Sequence, residues 1–109
     1  MQTITIRNYI WLNDHAYNYA KGYGLTEEDV INGLNKATNG FRAWRPGGEL
    51  LPTIWITVGF ERYGVVIKDV EDAEGIYTEV VTILDEFNTT RNEKGVSTTK
   101  TETVLVVQA

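Results

Sequence analysis

His15 is the one imidazole in the chain, and the side chains that could act with it on a phosphate are the cations Arg62 and Lys68. Cleaving RNA without a metal requires stabilising negative charge as it develops at phosphorus. An arginine or lysine can do this while a histidine or tyrosine moves the proton. His15, Arg62 and Lys68 are therefore the candidate catalytic set. A second group, Arg42, Trp44, Arg45 and Tyr63, has the composition of a nucleic-acid site, with guanidinium groups for phosphate and rings for stacking on a base. Each nomination has a plainer competitor. His15 lies near no carboxylate or nucleophile at a spacing that marks a catalytic pair, and a solvent-facing histidine explains it as well. The cations fit solvated strand positions, with Trp44 and Trp55 serving the core.

Metal and cofactor chemistry finds little to work with. The chain has no cysteine, which excludes disulfides and thiolate metal sites. The acids Glu71, Asp72 and Glu74, and separately Asp85 and Glu86, could attract a divalent cation, but DVEDAEG lacks the spacing and closing glutamate of a calcium loop. A solvated turn fits better. No phosphate-binding glycine loop or nucleophile elbow occurs, and neither a metal nor a cofactor is expected.

Ten lysines and arginines against fifteen acids give a net charge of -5 and a pI near 4.8. Proteins that live by gripping phosphate backbone usually carry the opposite sign, so RNA binding would have to come from a local patch. No run approaches the roughly 18 apolar residues that span a membrane, and MQTITIRN has no basic region followed by an apolar core. The expected location is the cytoplasm.

The elements that must position these residues divide into helices early and strands late. Asn13 and Asp14 cap a first helix to about Lys21, ended by Gly22 and Gly24. Thr26 with Asp29 three residues on forms a capping box for a helix over about 27 to 38, with Leu25 and Val30 placed as a hydrophobic staple. TIWITVGF, VVIKDV and IYTEVVTIL then follow at turn-sized gaps and predict an antiparallel meander over Thr53 to Leu84. Ile54, Ile56, Val58 and Phe60 share one face of the first run. Val80, Val81, Ile83 and Leu84 make the third apolar on both faces, which suits the middle of a sheet. FRAWR, Phe41 to Arg45, predicts a further short strand, and Gln2 to Arg7 another at an edge.

The expected architecture is α+β: two N-terminal helices packed on one face of a four- to five-stranded antiparallel meander sheet. Val30, Ile31, Leu34, Ile54, Ile56, Val58, Val81 and Ile83 are its expected core. The whole is one domain, 1–109, with 86–109 a Thr-rich arm and C-terminal strand. Read as a hairpin turning at Asn92 to Gly95, that arm sets Asp85 opposite Glu102, an unfavourable pair of like charges. Either a bulge shifts that register, or the strand Thr103 to Val107 pairs elsewhere; the expectation is an intermolecular contact, such as a homodimer through this strand, or a long arm that leaves the domain body.

HAYNYAKGYGLTEEDVINGL followed by a three-stranded meander resembles the small toxins of the BrnT kind, within the broad RelE/ParE-like group. The resemblance covers about residues 15 to 84. It implies a metal-independent ribonuclease or ribosome-directed toxin acting on RNA and silenced by a partner antitoxin. His15 matches the histidine of the first helix, and Arg62 and Lys68 lie where such toxins place basic sheet residues. This chain differs in being acidic and in ending in a strand. The alternative is a non-enzymatic acidic interaction module, antitoxin-like, an immunity protein or a phage accessory protein, whose charge would suit a basic partner. Convergence of Arg42, Arg45, Arg62 and Lys68 on one face separates the two readings.

Overall fold

The computed structural model describes residues 2–45, 48–95 and 100–109, without the side chains of Arg45 and Glu49. The strands are β1 (Gln2–Ile6), β2 (Ile10–Leu12), β3 (Asn39–Arg45), β4 (Gly48–Glu49), β5 (Thr53–Val58), β6 (Glu61–Asp72), β7 (Gly75–Asp85) and β8 (Lys100–Gln108). The helices are α1 (Asp14–Gly22), α2 (Glu27–Lys36) and α3 (Glu86–Lys94). One sheet joins the strands in the order β1-β8-β3-β5-β6-β7-β2, with β4 beside β3. β1 pairs with β8 and β2 with β7 in parallel, and the other ladders are antiparallel.

This corrects the expected four- to five-stranded antiparallel meander. β5, β6 and β7 do follow one another as antiparallel neighbours, but they are three members of a larger mixed sheet curled into a half-barrel. The extra strands come from the ends of the chain. β1 lines one border of the sheet and β2 the other, and only Arg7, Asn8 and Tyr9 separate them. Residues 2–12 thus act as one bent strand that draws the two borders together. The bend is fixed at buried Thr78, whose Oγ1 accepts the Arg7 N–H at 2.9 Å and whose N–H donates to Tyr9 O at 3.0 Å.

Helices α1 and α2 fill the concavity. Asn13 caps α1 through its side chain, and Thr26 with Asp29 forms a complete capping box on α2. Ala16, Ala20, Val30 and Leu34 enter one core with Ile6, Ile10, Leu12, Ile54, Ile56, Val65, Ile67, Val80, Ile83 and Val106. Of the expected core, Ile31 and Val58 are only partly buried. Val81 yields its place to Val80, because Val66 pairs with Thr82 while Ile67 pairs with Val80, leaving Val81 as the extra residue of a β-bulge. The bulge puts both Val80 and Ile83 on the core face. The apolar excess in that strand therefore reflects a shift of phase, and the strand sits beside the border strand β2 while β5 holds the middle. Phe60 is a further correction. It is fully exposed in the two-residue turn after Val58, where Gly59 supplies the positive φ (62°) that a tight hairpin needs.

The segment from Glu86 to Lys94 is helix, where a Thr-rich hairpin was expected. Asp85 is its N-cap, accepting from Asn88 N at 2.8 Å, and Gly95 follows it with φ 76°. The like-charge clash disappears with the hairpin, since Glu102 lies opposite Arg42 instead of Asp85. β8 lies between β1 and β3, with both edges paired inside the chain. Helix α3 covers the outer face. On β5, Ile56 meets α2 at Gly33, while Trp55, pointing the other way, donates from Nε1 to Glu93 of α3 at 2.9 Å.

Gly64 lets α3 reach the sheet. A Cβ there would overlap the buried Thr89 side chain, whose Oγ1 donates to Asp85 O at 2.6 Å and so has no room to turn away. Gly64→Ala is expected to lower stability by about 1–3 kcal/mol, as overpacking does. Urea unfolding should show this loss, with partial recovery in Gly64→Ala/Thr89→Ala.

Candidate functional site

The three residues singled out for catalysis, His15, Arg62 and Lys68, lie apart from one another. Arg62 lies on the outer face of β6, its guanidinium 4.0 Å from the Trp55 ring centroid and 3.7 Å from a Glu86 carboxylate oxygen. Lys68, on the same face, is 3.7 Å from Glu79. Six residues of strand put these two cations about 20 Å apart. His15 is exposed near the start of α1, with Nε2 3.0 Å from Thr82 Oγ1 and its ring stacked at 4.5 Å on Tyr19. Arg42 falls on the concave side of β3, in the same phase as Gly40, which opposes the core residue Ile54. Trp44 is half-buried near the end of β3. The Arg45 side chain lies outside the described residues. Tyr63 is half-buried, its ring 5.5 Å from that of Tyr23.

A different grouping does form at the mouth of the half-barrel. A cavity of about 370 Å³ opens between β1 and β6, lined by Thr3, Thr5, Arg7, Arg42, Lys68 and Asp69 among others. No helix residue lines it. Its charged lining residues are met by acids: Arg7 by Asp69 within the opening, and Lys68 by Glu79 beside it. Arg7 spans the opening, with Nε 3.3 Å and Nη2 3.0 Å from the two carboxylate oxygens of Asp69. This fork holds the guanidinium charged and raises its pKa further. Neither Arg7 nor Asp69 could be singled out from the sequence. They are 62 residues apart, and only barrel closure joins them.

The cavity walls are strand edges. Ile6 O accepts from Ala109 N on the β8 side, whereas Arg7 N–H points across to Thr78. By alternation, Thr3 and Thr5 turn their N–H and C=O groups toward the cavity. On the other wall, β5 reaches only to Val66 of β6, and Ile67 N donates to Pro52 O at 3.1 Å. The Asp69 backbone, two residues on, faces the same opening without a strand beside it among the described residues. The opening thus combines polar strand edges with side chains that already meet acids. They provide no nucleophile held against a base.

Tyr63 also belongs to an aromatic chain, His15–Tyr19–Tyr23–Tyr63, with centroid separations of 4.5, 6.4 and 5.5 Å. Burial, and then the charge of Asp85, raises the Tyr23 pKa; burial, and then Glu61, raises that of Tyr63. Among the described residues, no group of three or more His, Asp or Glu is placed to hold a metal ion, and no helix is long and apolar enough to cross a membrane. The chain matches no family model, no curated protein and no solved structure.

The raised tyrosine values fix a pH dependence. A folded pKa above the unfolded value of about 10 means that the folded state holds its protons more tightly. The stabilisation is complete below about pH 10 and is lost as pH rises through the folded values. Urea unfolding across this range should show a steeper alkaline loss for the parent than for Tyr23→Phe/Tyr63→Phe, and tyrosinate absorbance should report the delayed ionisation directly.

Proposed function

We propose that the protein is a non-catalytic module that binds a protein partner. The observation that carries this reading is the separation of His15, Arg62 and Lys68. Metal-free RNA cleavage needs a proton-transfer group and a charge-stabilising cation within hydrogen-bonding reach of one phosphate. Here Arg62 is committed to Trp55 and Glu86, Lys68 to Glu79, and His15 to Thr82 and Tyr19. Each contact is with a near neighbour in the fold, and the cavity that Lys68 lines includes neither His15 nor Arg62. The exposed surface supports a binding role. Tyr9, Trp11 and Ile76 stand exposed at the β2–β7 border, with Tyr9 stacked at 5.6 Å on Tyr77. Large amphipathic rings of this kind are enriched where proteins meet.

Two measurements test the proposal together. Incubated with ribosomes and messenger RNA, the purified protein is expected to leave the RNA intact, with His15→Ala and Arg62→Ala behaving as the parent does. Recovered from the cells that encode it after ribonuclease treatment, the tagged chain is expected in a stoichiometric complex with a second protein. RNA cleavage that disappears in either variant would overturn the proposal in favour of a toxin-like ribonuclease.

A further inference from the structure

We infer that the exposed aromatic surface at the β2–β7 border binds a basic segment of a partner protein, and seats one of its arginine side chains in the notch between the β1–β2 bend and the β6–β7 turn. The inference names the chemistry of the partner and rests on the partner-binding reading. Tyr9 and Trp11 alternate with the core residues Ile10 and Leu12, so both rings point away from the core, and both are exposed. Tyr77 is stacked on Tyr9, and Ile76 is exposed next to it.

The notch has a volume of about 210 Å³ and is lined by Tyr9, Asp72, Glu74, Gly75, Ile76 and Tyr77. Two rings and two carboxylates meet there, and the described lining holds no lysine or arginine. The cations that flank this end of the sheet are committed elsewhere, Arg7 to Asp69 at 3.0 Å and Lys68 to Glu79 at 3.7 Å. Asp72 and Glu74 therefore stay uncompensated among the described residues, in a chain whose net charge is -5. Asp72 Oδ1 accepts from Glu74 N at 2.8 Å and from Gly75 N at 3.2 Å. Both bonds fall on one oxygen, which fixes the carboxylate and leaves its second oxygen to take an incoming donor.

Charge complementarity selects the occupant. An arginine entering the notch meets ring faces and carboxylates together, and its planar guanidinium can stack on a ring while its fork engages a carboxylate. An acidic segment would meet like charge. The notch is smaller than the roughly 300–1,000 Å³ usual for small-ligand pockets, which suits one side chain of a segment whose apolar residues lie on Trp11 and Ile76.

The probe is a short capped peptide alternating leucine and arginine, titrated into the isotope-labelled protein and followed by NMR. Saturable shifts are expected at the amides of Tyr9, Glu74, Gly75, Ile76 and Tyr77 and at the Trp11 indole, with affinity falling as salt rises. A counterpart with citrulline in place of arginine keeps the shape and loses the charge, and should bind at least about threefold more weakly. Tyr9→Ala, at an exposed position, should weaken the arginine peptide about two- to fivefold. Asp72→Asn/Glu74→Gln should weaken it about threefold or more, whereas Glu27→Gln/Glu28→Gln, which changes the net charge equally at exposed positions of α2, should leave it unchanged. No saturable shift up to about 10 mM, equal binding of the citrulline peptide, shifts confined to other surfaces, or equal losses in the two double variants would overturn the inference. A parent that sediments as a dimer while Tyr9→Ala sediments as a monomer would give the surface to a second copy of the chain, and would overturn it too. None of these outcomes alters the RNA-cleavage and complex-recovery results, so failure of this docking surface is distinguishable from failure of the partner-binding reading.

Discussion

The fold depends on closing a sheet whose two borders belong to one short stretch of chain. Residues 2–12 pair with β8 and then, after three residues, with β7. Thr78 holds the crossing by accepting from Arg7 and donating to Tyr9, and it is itself buried. Ile6, Ile10 and Leu12 reach the core only through this path. Burial of each is worth about 1.5–3 kcal/mol, so releasing the bend would cost the domain a sizeable part of its margin. The same closure gives β8 a neighbour on each side and leaves the inner edge of β1 open at the mouth.

A sheet covered on both faces disperses its cations. Alternation sends Arg62 and Lys68 outward on β6 and Arg42 inward on β3, and the outward pair meets the acids Glu86 and Glu79. Helix α3 reinforces this, since it brings Glu86 and Glu93 over the outer face and engages Trp55. Net charge describes the whole surface, while the mouth is set by which few residues the curl assembles. The opening joins residues far apart in the chain, with Arg7 as the member that no linear grouping of basic residues contains.

Local signals were legible where the atoms that satisfy them lie within a few residues. Asn13 caps α1, and Thr26 and Asp29 exchange bonds across one turn, so sequence and structure agree at both starts. The same logic would have found α3: Asp85 precedes Glu86, and Arg91, Lys94 and Gly95 close it, a sequence with the marks of a capped helix. The Thr-rich composition of the arm and the apolar strand after it favoured a hairpin instead. The bulge at Val81 left a trace in the run of Val80, Val81, Ile83 and Leu84. That trace fits burial on both faces equally well, and only the pairing with β6 separates the two.

Caps, turn glycines and the two-residue alternation are short-range properties, so the sequence alone was enough to establish α1, α2, the turn-linked run from β5 to β7 and the core positions Val30, Leu34, Ile54, Ile56 and Ile83. The choice of neighbours across the sheet is different. A strand's period says which side chains share a face and nothing about which strand lies beside it, so the parallel pairing of β1 with β8 and of β2 with β7 had no local signature. Those pairings follow from burying Ile6, Ile10 and Leu12 against residues far along the chain while satisfying the backbone at both borders of a curled sheet. The meeting of Arg7 with Asp69, and with it the mouth, exists only once that closure has been made.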